Sequence, residues 1–172
     1  MNGRFAQTHL KHFIKLQKSS KTMIQSFNQE RLHKEIDLIQ SCINRMAKNS
    51  FSCKGWNLTL IAGIFTLMPI NNNNWYFAFL IICINSCFWF LDSFFLLQER
   101  KYRDKYEWVI KKRLEGNTDF LYDLNPNNKR MNLKHKKQNL FKSACSLTLM
   151  SIYGGITALV VIFIIIKFKK GV

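Results

Sequence analysis

Polar residues inside an apolar stretch are the ones whose type and spacing could do chemistry in this chain. Asn85 and Asp92 are seven residues apart within the apolar run from Trp75 to Leu97, so a helix places them on one face, and Glu99 extends the line. A polar stripe in a membrane span marks either a water-filled path or a polar contact between helices. The stripe could line a pore in an oligomer, or it could hold the helices of one chain together.

Lys54 is the candidate partner of Asp92. Lys54 precedes the polar stretch Asn71–Asn74 by 17 residues and Asp92 follows it by 18. The two arms of an antiparallel hairpin would therefore bring both charges to one depth, near the same membrane face. The alternative is that Asp92 reaches the membrane interface without a partner.

The chemistry of enzymes and metal sites has no recognisable pattern in this sequence. His9 and His12 share a helix face, but no Cys, Asp or Glu stands beside them at ligand spacing. The five cysteines form no CxxC, and Cys83 and Cys87 fit a span as small apolar residues. One buried acid is not an acid–base pair, and no glycine-rich phosphate loop occurs. We expect no catalytic residue, no metal and no cofactor.

Three apolar runs must position the polar residues. Trp75–Leu97 has 23 residues with one formal charge, and Leu147–Ile166 has 20 with none. At about 1.5 Å per residue, both are long enough to cross a bilayer. Trp56–Ile70 is shorter, but only Asn71–Asn74 separates it from the next run, and Pro69 would end it. The pattern predicts an all-α membrane protein: a transmembrane helical hairpin, a third C-terminal transmembrane helix, and cytoplasmic amphipathic helices.

The distribution of charge divides the chain and orients it. We expect a basic cytoplasmic helical region at 1–53, the transmembrane hairpin at 54–97, a cytoplasmic helix and basic loop at 98–143, and the third transmembrane helix with a short tail at 144–172. Lys and Arg outnumber Asp and Glu by ten to three in the first 54 residues and by thirteen to six in 98–143. The positive-inside rule therefore places both segments in the cytoplasm. The C-terminus would lie outside, although its three lysines disfavour that side.

The cytoplasmic segments have helical patterns. A narrow apolar stripe recurs at spacings of three and four, and it could pack on a neighbouring helix, on a second copy or on the membrane surface: Leu32, Ile36, Ile39, Ile43 and Met46. We expect Ser19 and Ser20 to interrupt the weaker pattern before it. Opposite charges four apart predict that the second span continues as a helix to a stop at Gly116, with a short helical turn at Thr118–Leu124.

Two further groups are candidates for contacts. Basic residues just before the third span are typical of anchors for anionic lipid or for a partner: Lys129, Arg130, Lys134, Lys136, Lys137 and Lys142. Small residues four apart in the third span let helix backbones approach closely: Ser151, Gly154, Gly155 and Ala158. The small residues could form an oligomer interface or pack internally against the hairpin.

Two segments resemble small bacterial membrane proteins found with antiphage defence systems. One is INRMAKNSF at 43–51, followed by KGW at 54–56, and the other is FLDSFFLLQER at 90–100. The plan of two membrane helices followed by a long cytoplasmic helix also resembles the SLATT class. The resemblance covers about residues 32–115, and the third span departs from that plan. The shared structural positions that it implies are Lys54, Trp56, Asp92, Glu99 and Arg100.

This resemblance implies a membrane effector of abortive infection. Such a protein would oligomerise in the bacterial inner membrane, with its N-terminus in the cytoplasm, and disrupt membrane integrity or potential. A cytoplasmic sensor, such as a reverse transcriptase with its nucleic acid, would release it. The alternative is a non-catalytic anchor or scaffold whose basic cytoplasmic helices recruit a protein or nucleic acid, since the net charge is +16. The expected partners are the lipid bilayer, anionic lipids, a second copy and the sensor.

Overall fold

The computed structural model describes residues 2–67, 74–128, 130–131 and 139–169, with side chains for 14–67, 75–128, 130–131 and 139–166. No strand occurs in these ranges, and the all-helical prediction is confirmed for them. The elements are α1 (Asn2–Leu67), α2 (Asn74–Leu114), α3 (Leu140–Ala144), α4 (Leu147–Leu149), a π-helical turn (Met150–Gly154) and α5 (Gly155–Lys169). Pro69 and most of the Asn71–Asn74 turn lie outside the described residues.

Helix α1 has 66 residues, which corresponds to a rod of about 100 Å. It passes through Ser19 and Ser20 without a break, so the predicted interruption there is wrong. Serine costs a helix only a few tenths of a kcal/mol relative to alanine, and the flanking Lys, Gln and Met residues favour a helix. The same rod passes from the basic N-terminal region into the apolar arm at residues 53 and 54.

Helix α2 continues from its apolar half into its charged half, as the charge spacing predicts. Glu99 and Arg103 are opposite charges four residues apart, and they form an ion pair with a distance of 2.8 Å. The helix ends at Leu114, and Gly116 follows with φ of 77°. The N–H of Asn117 donates to the carbonyl of Lys112 at 3.0 Å, which satisfies one of the last carbonyls of the helix.

The two long helices pack antiparallel along most of α2. The predicted apolar stripe of α1 contributes to this contact, since Ile39 is fully buried and its other members are half-buried. The most buried neighbours of Ile39 on α1 are Glu35 and Cys42. The centre of the contact therefore passes through these two residues, each of which directly precedes a member of the stripe. Of the three surfaces considered for the stripe, the neighbouring helix of the same chain is the one it meets.

The third helical segment packs against the hairpin. Its start lies beside α2, where the Trp89 indole N–H donates to the carbonyl of Ala144 at 3.1 Å. Further along, Val160 of α5 joins a buried cluster with Ile64 of α1 and Ala78 of α2. Helix α5 therefore runs toward the end of the hairpin where α1 ends and α2 begins. Three helices thus share one apolar core.

The segment after α2 is not the predicted helical turn at Thr118–Leu124. Phe120 and Tyr122 have φ of 57° and 56°, a left-handed conformation that aromatic residues rarely adopt. Tertiary contacts hold it. The Phe120 ring lies 6.2 Å from the Trp108 ring, and the Tyr122 N–H donates to Glu35 at 3.1 Å. Contacts made by neighbouring side chains therefore override the local helical tendency of this segment.

Two helices of the described chain are long and apolar enough to cross a membrane. One begins at Trp75 and the other is Leu147–Ile166. The arm at 56–67 is not among them. Large apolar side chains of both helices point outward, including Phe79 at 63% exposed and Leu159 at 68% exposed.

Candidate functional site

A buried ion pair joins α1 and α2 at one end of the apolar part of the hairpin. The Lys54 ammonium lies 2.7 Å from the Asp92 carboxylate. Asp92 is fully buried, whereas the Lys54 side chain is 20% exposed. The structure therefore brings together the two charges that the hairpin register places at one depth. A carboxylate in such a position needs a partner, because burial of an isolated charge is very costly.

Ser50 completes the contact on the α1 side. Its hydroxyl donates to the other oxygen of Asp92 and accepts from the Lys54 ammonium, with a Lys54–Ser50 distance of 2.8 Å. Ser50 and Lys54 are four residues apart, so one face of α1 presents both groups to the carboxylate. Each oxygen of Asp92 thus has a hydrogen-bond donor.

Tyr153 brings the third helical segment into the same network. Its ring is fully buried, and its hydroxyl donates to Asp92 at 3.0 Å. The ring stacks on Trp89 of α2, with centroids 6.3 Å apart and planes within 3° of parallel. Tyr153 lies in the π-helical turn, a distortion that proteins often carry at functional positions.

Asn85 forms a second polar layer, deeper in the apolar part. Its amide N–H groups donate to the carbonyl of Tyr153 at 2.9 Å and to the Thr157 hydroxyl at 3.0 Å. Its oxygen accepts from the amide of Asn57 on α1 at 2.9 Å. Asn57 is fully buried and its own oxygen has no partner within the described structure. The two layers link all three helical segments.

These layers face inward. In the chain described here, the stripe of Asn85 and Asp92 makes helix-to-helix contacts and does not line an open path. Side-chain networks of this kind fix a single arrangement of helices when their members are satisfied, and they are strongly destabilising when one member is removed. The described side chains include no group of three His, Cys, Asp or Glu that could hold a metal ion.

A second buried ion pair joins α1 and α2 farther from their connection, close to the end of α2. Arg113, near the end of α2, donates to both oxygens of Glu35 on α1 at 2.8 and 2.9 Å. The guanidinium also donates to the carbonyls of Asn117 and Asp119. A bidentate arrangement of this kind is strong and geometrically specific. It connects α1, α2 and the segment that follows α2.

Lys105 is fully buried between α2 and this segment. Its ammonium donates to the carbonyl of Asn125 at 2.9 Å and lies 3.6 Å from Asp123. Burial lowers the pKa of Lys105 from its usual value, and the nearby carboxylate of Asp123 opposes that shift. Burial alone would raise the pKa of Asp123, but hydrogen bonds from Asn128 and Asn125 and the charge of Lys105 hold it below its usual value.

The small residues of the third span do not pack against the hairpin. Ser151, Gly155 and Ala158 are exposed, and Gly154 is half-buried. A Cβ built on Gly154 or Gly155 would meet no atom within 4 Å. The exposed members of this group therefore form an outward face of small residues on the third segment.

The described members of the remaining candidate groups do not join the network around Asp92. Arg130 and Lys142 are exposed, whereas Lys129, Lys134, Lys136 and Lys137 lie outside the described residues, as do the side chains of His9 and His12. Arg100 donates to the Ser146 hydroxyl at 3.1 Å and so helps to hold the third segment. Trp56 is exposed.

Several site residues were missed by reasoning from the sequence. Asn57 interrupts the short apolar run, and a polar residue in that run is itself a signal of a partner such as Asn85 on the other arm. Tyr153 and Thr157 carry no signal of their own, because both residue types are ordinary in spans. Glu35 and Arg113 could have been paired by extending the hairpin register, since they stand 36 residues before Asn71 and 39 after Asn74.

Comparison with models of protein families, with curated proteins and with solved structures finds no match. The geometry of the chain itself therefore has to support any functional conclusion.

Proposed function

We propose that this protein is a membrane effector of bacterial antiphage defence. It oligomerises in the inner membrane and disrupts membrane potential or integrity. A cytoplasmic sensor, such as a reverse transcriptase with its nucleic acid, holds the protein inactive and releases it on infection. The single observation that carries the proposal is the buried network of Asp92, Lys54 and Tyr153. This network holds ionisable groups in the contact between three helical segments.

A bilayer fits the outer surface of the three segments. Outward apolar side chains such as Phe79, Phe90 and Leu159 would be unfavourable in water over so continuous a surface. Trp56 at the Lys54 end, and Trp75 at the opposite end of the hairpin, are exposed in the positions of membrane-interface aromatics. These features support insertion of the hairpin together with the third segment.

The antiparallel packing and the positive-inside rule together support the proposed orientation. The basic part of α1 and the charged half of α2 lie on one side of the Lys54–Asp92 pair, and the positive-inside rule favours the cytoplasm for that side. Helix α5 runs away from that side, toward the end of the hairpin where α1 ends and α2 begins. Its C-terminal end would therefore lie outside. Arg130 and Lys142 are exposed near the entry to the third segment and are suited to anionic lipid.

The network explains how such a protein can be harmless when closed. Each charged group of the network has a partner inside the chain, so no ionisable group has to face lipid. Opening would separate Tyr153 from Asp92 and expose polar groups that an oligomer could turn toward water. The open face of small residues, centred on Gly155, supports assembly of several copies.

The proposal is tested in bacteria with a voltage-sensitive dye. Induction of the wild-type chain without its sensor should depolarise the cells, and Asp92→Ala should abolish the effect because it removes the carboxylate that the open assembly would turn toward water. Asp37→Ala, an exposed acid on the cytoplasmic part of α1, is the matched control and should behave as wild type. Immunoblots of membrane fractions check that all three proteins accumulate equally. An unchanged potential with wild-type protein in the membrane would contradict the proposal.

A non-catalytic anchor or scaffold is the second candidate. It is favoured by the part of α1 from residue 14 to 30, which is exposed throughout and carries Lys15, Lys18 and Lys21. An anchor would recruit a protein or nucleic acid and leave ion flux unchanged. The dye measurement separates the two functions, since only the effector depolarises cells.

A further inference from the structure

The cytoplasmic tip of the molecule contains a groove that neither the network nor the spans use. Helix α2 ends close to the level of Glu35, because Arg113 binds that residue. Within the described residues, the part of α1 before Glu35 therefore continues past the end of α2 with no second helix packed on it. A groove of about 670 Å³ lies between this part of α1 and the segment that follows α2. We refer to it as the tip groove.

The lining of the tip groove is both apolar and basic. Leu114 is 81% exposed and Ile24 is 59% exposed, so their apolar surfaces are available to a ligand. Lys21 and Arg31 stand on the same wall of α1, and the amides of Gln25 and Asn28 lie between them. A surface of this kind offers apolar contact and positive charge within a few helical turns.

The wall opposite α1 is held in place by buried contacts. The Arg113 guanidinium is fixed by the Glu35 carboxylate and by the carbonyl of Asn117. Phe120 and Tyr122, a few residues further along the chain, have a left-handed backbone conformation. Such strained conformations persist only where the surrounding structure determines them. A rigid wall reduces the ordering that a ligand would have to impose, and so favours binding.

We infer that the tip groove binds an amphipathic helix of a partner protein that carries Asp and Glu on one side and aliphatic residues on the other. The carboxylates would meet Lys21 and Arg31, and the aliphatic side chains would meet Ile24 and Leu114. Helix-in-groove recognition of this type uses anchors that recur every three or four residues, and α1 presents its lining residues at that spacing. The ligand class is fixed by this combination of charge and apolarity.

Other occupants fit less well. A nucleic acid would use the basic residues, but Ile24 and Leu114 offer nothing to phosphates and no aromatic side chain lines the described groove for base stacking. A second copy would bring Lys15, Lys18 and Lys21 against an equally basic surface. The bilayer is distant, because Lys21 stands 33 residues before Lys54, about 50 Å along α1.

The inference rests on the proposed function only in identifying the partner with the sensor that controls the effector. Occupation of the groove is a binding property, and it is measured without reference to membrane potential. A failure of the groove and a failure of the effector activity are thus distinguishable.

The test uses the full chain in nanodiscs of neutral phosphatidylcholine and a fluorescent synthetic peptide. The peptide has about 18 residues, or five helical turns, with leucine on one face and glutamate on the other. A second peptide has glutamine in place of glutamate. Lys21→Glu and Ile24→Asp change the groove. Lys111→Glu and Met23→Asp are matched controls, since both residues are exposed and neither lines the groove.

We expect saturable binding of the glutamate peptide, and binding of the glutamine peptide at least about tenfold weaker, or about 1.4 kcal/mol. Lys21→Glu and Ile24→Asp should each weaken binding about tenfold, and the two controls should stay within about twofold. The inference is overturned if the controls weaken binding as much as the groove variants, if the peptide does not saturate, or if a single-stranded oligonucleotide of equal charge displaces it at lower concentration.

Discussion

The Lys54 ammonium lies 2.7 Å from the Asp92 carboxylate, and this contact joins α1 to α2 where the apolar part of the hairpin ends. Ser50 and Tyr153 supply the remaining hydrogen bonds of the carboxylate. A carboxylate of α2 that is held by groups of α1 and of the third segment makes the arrangement of all three segments depend on one residue. The Glu35–Arg113 pair has the same role near the end of α2, where it joins α1, α2 and the segment that follows.

Lys54→Met should destabilise the protein by about 3 kcal/mol, because the carboxylate of Asp92 stays buried without its counter-charge. The figure is at the low end for a buried pair, since the Lys54 side chain is 20% exposed. Thermal unfolding in detergent measures the loss. The double variant Lys54→Met with Asp92→Asn removes both charges and should recover part of the stability. Equal stability of Lys54→Met and wild type would show that the pair contributes nothing.

Tyr153→Phe deletes the hydroxyl that donates to Asp92 but keeps the ring stacked on Trp89. We expect a loss of about 1–3 kcal/mol, the usual effect of leaving a buried acceptor with one donor fewer. The matched control is Tyr76→Phe, because Tyr76 is 69% exposed, and its effect should be below about 0.5 kcal/mol. If both variants lose the same amount of stability, the hydrogen bond between Tyr153 and Asp92 does not stabilise the protein.

Glu35→Gln should loosen the segment after α2, because Arg113 loses its charged partner and Tyr122 loses a strong acceptor. Amide hydrogen exchange in residues 117–125 should become about 100-fold faster, corresponding to about 3 kcal/mol. Glu30→Gln is the control, since Glu30 pairs with Lys34 on the exposed surface and should have no measurable effect. Unchanged exchange in Glu35→Gln would mean that other contacts hold the segment.

The segment should also loosen in acid through Asp123. Its pKa is lower in the folded state than its usual value of 3.8, so its stabilising contribution is fully present above 3.8. That contribution is lost as the pH falls below 3.8 and through the folded-state pKa. After correction for the intrinsic pH dependence of amide exchange, the protection of amides around Asn125 and Asn128 should therefore fall below pH 3.8. Asp123→Asn should remove this acid-dependent step, and a step of the same size in that variant would assign it to another group.

The open face of small residues in the third segment predicts an effect on assembly. Gly155→Leu should reduce the oligomer on native gels, because a large side chain prevents close approach of another helix. The chain itself tolerates the change, since a Cβ on Gly155 meets nothing within 4 Å. Gly63→Leu is the control, because Gly63 is also exposed and unobstructed but lies on the first arm. An oligomer insensitive to Gly155→Leu would place the interface elsewhere.

Much of the fold is readable from the sequence because its patterns are local. The apolar runs, the charge pairs after residue 97 and the stop at Gly116 depend on neighbours within a turn or two. The register that placed Lys54 opposite Asp92 needed only equal arm lengths around Asn71–Asn74. Ser19 and Ser20 do not interrupt α1, because the weak preference of serine against a helix is outweighed by the helix-favouring residues on both sides.

The remaining parts of the site depend on tertiary contacts that no local pattern encodes. The position of Tyr153 beside Asp92 requires the π-helical turn and the packing of the third segment on α2. The conformation at Phe120 and Tyr122 requires Trp108 and Glu35, which are distant in sequence. Whether the small residues around Gly155 face inward or outward is decided by the rotation of a helix that is apolar on all sides.

The most direct measurement of the central claim is ion leak from sealed vesicles. Purified wild-type protein is reconstituted without any partner into vesicles that contain anionic lipid, and a potassium diffusion potential is imposed. The account predicts that the potential collapses in proportion to the protein added, and that Asp92→Ala inserts to the same extent but leaves the potential intact. A stable potential in vesicles that carry correctly inserted wild-type protein would contradict the effector function and leave the anchor as the function of this chain.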